Sequence, residues 1–179
     1  MKKINVFELV LCGVMAALSI VLEKFVSLDL GPFKLTFYGL PLLIIGIIYG
    51  PKLGLITGIV TGVILQLTSK YGVTITSILW ALAPVSWGGI SGIIFKYVKI
   101  KKEIILIAVS VTCASLCATI LNTIAMFGDL LLINDSYYTE TMIISNLPIR
   151  IVSSLILIIP YTVITEILRK SLTKIYIKK

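Results

Sequence analysis

Arg150 stands near the start of the last apolar segment of a 179-residue chain, with Asn146 one helical turn before it and Pro148 between them. A guanidinium inside a bilayer-length segment must be paired, must reach the headgroups, or must face a polar cavity. In the third case it is a planar, permanently charged donor suited to a carboxylate. Asn122 lies within Ile120-Leu121-Asn122-Thr123, and Gln66 near the end of another apolar run. Their amides both donate and accept, so they can read the heteroatoms of a bound solute. Trp80 and Trp87 are seven residues apart, hence on one helix face, with Pro84 between them. Two indoles on a proline-kinked helix suit a flat aromatic solute, although packing alone also accounts for them. Together these residues describe an apolar-walled cavity with a few amides and one fixed cation. The plainer alternatives are an interhelical hydrogen bond for Asn122 and an ion pair of Arg150 with Asp129, Asp135 or Glu140.

Other chemistries are poorly supplied. The chain has no histidine, no paired carboxylates in an apolar run, and no nucleophile with a base at a recognisable spacing. It carries no GxxxxGK[ST] loop to cradle phosphates. Three cysteines without histidine exclude a Cys/His zinc site, and Cys113 and Cys117 read as buried thiols on one helix face. The expectation is a protein that is not an enzyme and needs no metal or cofactor.

Hydrophobic residues make up 58% of the chain and charged residues 13%, too few to cover a soluble surface of this size. The chain therefore reads as all-α, an integral membrane bundle of six transmembrane helices forming a single domain over residues 1–179. The apolar runs are roughly 7–23, 35–50, 52–69, 74–95, 103–128 and 147–168. Met1-Lys2-Lys3 resembles the start of a signal peptide, but no small-residue cleavage site follows, so the first run is expected to be retained. Runs two and three are short. Joined as one kinked helix they would carry Gly50-Pro51-Lys52 to the bilayer centre, whereas a hairpin puts that triplet in water. The net charge of +8 follows from topology rather than from a nucleic-acid partner. With both termini cytoplasmic, twelve of the 16 basic residues fall inside; Lys24, Lys34, Lys70 and Arg150 fall outside. Residues 24–34 and 129–146 then form the longest outer connections, suited to closing over a site.

Small residues recur every fourth position: Gly13 and Ala17, Gly54, Gly58 and Gly62, and Gly88 and Gly92. Such rows let helix backbones approach closely, and one of them is available for a second membrane subunit.

The whole chain resembles the substrate-binding S component of energy-coupling factor (ECF) transporters, the bacterial vitamin importers. The resemblance rests on Gly31-Pro32-Phe33-Lys34-Leu35 leading to Leu40-Pro41, then on Tyr49-Gly50-Pro51-Lys52-Leu53-Gly54. Leu121-Asn122-Thr123, with Arg150 ahead of an Ile/Pro-rich last helix, is most similar to the folate-specific branch. Two stretches depart from that branch: Ile124-Ala125-Met126 lacks its aromatic, and Gly72-Val73-Thr74-Ile75-Thr76 replaces its Pro-Gly-Phe-Thr. The resemblance implies a multi-pass protein of the bacterial cell membrane that captures folate at the extracellular side. Pantothenate or another small carboxylated vitamin is the alternative ligand. Arg150 would take the carboxylate, with Lys34, Lys70 or Tyr71 helping near the mouth, Trp80 and Trp87 on the ring, and Asn122, Gln66 and Asn146 lining the site. Gly13 and Ala17 would meet the transmembrane coupling subunit, and two ATPase subunits would hydrolyse ATP. An ion-coupled secondary transporter is the competing class; it normally keeps an acid in mid-span, whereas every acid here falls at a span end or in a loop.

Overall fold

The computed structural model describes residues 5–29, 34–70, 72–133 and 138–177, with side chains described except at 28–29, 34–35 and 172–177. Among them are six helices: α1 (Val6–Phe25), α2 (Gly39–Tyr49), α3 (Pro51–Leu67), α4 (Ser77–Tyr97), α5 (Glu103–Leu132) and α6 (Glu140–Ile177). The all-α expectation needs one small amendment. Between α1 and α2, β1 (Leu28–Asp29) pairs antiparallel with β2 (Lys34–Leu35), setting Leu28 opposite Leu35 and Asp29 opposite Lys34.

Four helices are long and apolar enough to cross a membrane: α1, α4, α5 and residues Glu140–Ser171 of α6. The other two are shorter. With 11 residues α2 rises only about 16 Å, roughly half of a hydrocarbon core, while α3 has 17 residues. Protein rather than lipid surrounds α2, since Gly39 through Ile47 are all buried. Leu40, Leu42, Leu43 and Ile47 form the centre of the main core, against Trp87 of α4, Ile107 and Val111 of α5, and Tyr161 of α6. Beyond the start of α2, the Tyr161 hydroxyl donates to the Thr36 carbonyl at 2.8 Å, giving a backbone acceptor a partner where water is scarce.

The α2–α3 boundary is a true hairpin and not a kink. Gly50 adopts φ +92°, a conformation that a Cβ disfavours, and Pro51 opens α3 at a position where its missing N–H costs nothing. The hairpin returns α3 along α4 at very close range. A Cβ built at Gly58 would stand 2.7 Å from the Val85 Cα, and Gly54 and Gly88 oppose each other backbone to backbone. Gly92 similarly admits Gly46 and Pro51. Both of these glycine rows are therefore consumed in internal packing.

Apolar runs and helices do not share boundaries. Hydropathy marks the apolar stretch of each element, but α5 continues to Leu132 and α6 starts at Glu140. The long outer connection expected at 129–146 is thus only 133–139, and Asp129 and Asn146 are helical. The first connection is close to expectation, as α1 ends at Phe25 and the described residues before α2 include the two short strands. Cys12 is buried as a core thiol, whereas Cys113 and Cys117 are half-buried, because the face they share lies at the margin of the bundle.

Candidate ligand-binding site

One end of the bundle gathers most of the expected site residues. The C-terminal ends of α1, α3 and α5 meet the N-terminal ends of α4 and α6 there. The Lys24 ammonium donates to the Thr68 carbonyl at 2.6 Å, joining the end of α1 to that of α3. A cation at a helix C-terminus also complements the exposed carbonyl dipoles.

On α5, Thr123, Met126 and Asp129 follow each other at intervals of three and so form one row. Arg150 of α6 meets the lower part of that row. Its Nη1 lies 3.3 Å from the Thr123 Oγ1 and 3.0 Å from the Met126 Sδ. A hydroxyl contact between Thr119 and Ser154, at 3.0 Å, continues the α5–α6 seam below it. Salt bridges among the described residues are Arg169–Glu103 and Lys170–Glu166, both at the opposite end, so Arg150 is held by neutral groups. The expected alternative, an Arg150–Asp129 ion pair, is not formed. Asp135 lies outside the described residues.

Asp129 is engaged elsewhere. The Thr76 hydroxyl donates to its Oδ1, and the Trp80 indole donates to its Oδ2 at 3.0 Å. Such charge-assisted bonds fix the indole plane at the head of α4. The Trp80 ring faces Tyr138, with centroids 6.3 Å apart and planes inclined by 33°. Two aromatic rings, a carboxylate and a guanidinium therefore share this end of the α4–α5–α6 interface.

The other expected site residues divide by position. Asn122 is half-buried beside Thr123, and Asn146 is half-buried one turn before Arg150 on the same face of α6. Gln66 is half-buried in the last turn of α3, and Lys70 is exposed just beyond it. Lys34 is described by its backbone alone, in the pair with Asp29, and Tyr71 lies outside the described residues. Trp87 does not accompany Trp80. It is 7% exposed, two turns deeper, with its ring 5.1 Å from that of Tyr161 and pressed against Gly39. Asp129 was missed as a site residue because one acid at a span end reads as loop, and its partners are 49 and 53 residues away.

Two other surfaces differ in kind. A groove of about 190 Å³ between α3, α4 and α5 is lined by Leu55, Leu82, Gly89, Cys117, Leu121 and other uncharged residues. On α1, Gly13 and Ala17 are exposed, and a Cβ added at Gly13 would meet nothing within 4 Å.

Sequence comparison assigns the family of this bundle of apolar helices. The model described as "ECF transporter, substrate-specific component" matches residues 7–169, so the chain belongs to that family. Its members are transport subunits. Two solved structures have the same fold. One, described as FolT bound with folic acid, is 22% identical with a TM-score of 0.60, covering 93% of this chain and 95% of that one. The other, described as the S component of a bacterial ECF transporter, is 18% identical with a TM-score of 0.64, covering 97% and 98%. Comparison with curated protein sequences finds no match.

Proposed function

We propose that this protein captures a carboxylated vitamin, folate fitting best, from the extracellular side of the bacterial cell membrane. It then delivers the vitamin with a separate coupling subunit and two ATPase subunits. The observation that carries this reading is Arg150, a cation held by Thr123 and Met126 without a described counter-ion. A desolvated guanidinium with neutral partners is poised to gain an anionic one. Trp80 supplies an aromatic face for a ring, while Asn122, Asn146 and Gln66 supply amides at the same end. Lys34, Lys70 and Tyr71 would help near the mouth, and Trp87, which packs in the core against Tyr161, would act on the ring only through that packing. All six helices are taken to be membrane-embedded, with both termini cytoplasmic.

Pantothenate or another small carboxylated vitamin is the second reading. It is favoured by Met126, a flexible thioether lying against Arg150 in the stretch where the folate-specific branch carries an aromatic.

Mass spectrometry of the small molecule that co-purifies with the protein, followed by titration with a vitamin panel, tests both. Folate is expected to bind tightest. Tight binding of no vitamin would overturn the capture reading. The Arg150→Ala variant is expected to lose about 30-fold or more in affinity for the carboxylated ligand, the value of one charge-assisted contact, and little for an uncharged analogue. Equal loss for both would make Arg150 a structural residue.

A further inference from the structure

The carboxylate of Asp129 has a use beyond holding Trp80. An ionised carboxylate offers about four acceptor positions, and among the described residues Thr76 and Trp80 supply one donor each. The group is half-buried, so it is neither sealed in the core nor diluted by bulk water. It lies beside the Trp80 ring, to whose indole N–H it is bonded, and the Tyr138 ring lies near that indole with centroids 6.3 Å apart. Along α5 it stands one turn beyond Met126, the residue touching Arg150, so the α5 acceptor and the α6 cation succeed each other along the α5–α6 seam. Such an order is polar. A ligand carboxylate is attracted at Arg150 and repelled at Asp129, while a ligand N–H edge prefers the reverse.

We infer that Asp129 is a specificity-determining residue, accepting hydrogen bonds from the N–H edge of a nitrogen heterocycle stacked on Trp80. The inference rests on the capture reading and narrows the ligand class. The ring must carry adjacent N–H donors, as a 2-amino-4-oxopyrimidine edge does, and an anionic group must lie toward Arg150. Two parallel N–H···O bonds to one carboxylate discriminate strongly, because a ring lacking the donors leaves a partly desolvated acceptor unpaired.

The test compares folic acid with its 2-desamino-2-methyl analogue, which keeps the glutamate carboxylates but loses the amino donor. Isothermal titration of the purified full-length protein is expected to show the analogue binding about 30-fold more weakly. In Asp129→Asn the side chain keeps its size and an acceptor for Trp80 but presents N–H toward the ligand. Folic acid is then expected to weaken by a similar factor while the analogue changes less than about threefold. Equal binding of the two ligands to the unaltered protein would overturn the inference even if the variant failed to fold. Equal losses of both ligands in Asp129→Asn would overturn it too, reducing Asp129 to a support for Trp80. If the unaltered protein bound neither ligand, the folate reading would fall first and this inference with it.

Discussion

Arg150 and Asp129 have opposite charges on adjacent helices, yet the chain does not pair them. Asp129 is occupied by Thr76 and Trp80, and Arg150 rests on a hydroxyl and a thioether. A direct ion pair would neutralise both groups and leave little gain for a charged ligand. Keeping them apart preserves a donor for an anion and an acceptor for N–H groups. The Arg150→Lys variant examines the donor's shape. Lysine keeps the charge but loses the planar fork, so affinity for a carboxylated vitamin is expected to fall about tenfold, short of the loss in Arg150→Ala. Titration of both variants with one ligand measures the difference; equal losses would mean that only geometry counts. Arginine was legible as a site residue because a cation in an apolar segment demands an explanation from sequence alone. Asp129 was not, since its importance arises from contacts that only the fold creates.

At the scale of elements, the α2–α3 hairpin was readable because its turn chemistry is local. Gly50 supplies positive φ, Pro51 supplies a helix start, and both act within a few residues. Glycine rows were readable as sites of close approach but not as to which helix each would meet, since that depends on long-range packing. Helix ends were the least readable, because hydropathy reports the solvent of a segment rather than its hydrogen bonding. The α3–α4 contact yields a sharp expectation. In Gly58→Leu, the new side chain meets the α4 backbone at Val85, which cannot yield as a side-chain tip would. Overpacking of this kind costs roughly 1–3 kcal/mol or more, and α4 carries Trp80. Thermal unfolding in detergent should shift downward by several degrees, with weaker ligand binding. An unchanged unfolding midpoint would mean that α3 and α4 separate easily.

At the scale of the whole molecule, the three small-residue rows separate by fate. Gly54, Gly58 and Gly62 with Gly88 and Gly92 are spent inside the bundle, whereas Gly13 and Ala17 face outward from α1. That helix fully buries only Cys12, Ala16 and Ser19 as a stripe, half-buries Leu11 and Met15 beside them, and exposes Val10, Val14, Leu18 and Val21. A smooth, small-residue face on a lightly packed helix suits another membrane helix better than it suits this fold's own core. Ligand capture and subunit docking would then lie on different parts of the protein and be separable by mutation. Gly13→Leu adds a side chain where nothing lies within 4 Å of the new Cβ, so stability should change by less than about 0.5 kcal/mol. Vitamin binding to the isolated protein is expected to stay within about twofold, since one tenfold step requires 1.4 kcal/mol. Co-purification with the coupling subunit, and uptake by cells supplying it, should both be lost. Intact uptake in Gly13→Leu would move the docking face away from this part of α1. Loss of vitamin binding in the isolated variant would show instead that α1 transmits its packing to the polar end through the Lys24–Thr68 link.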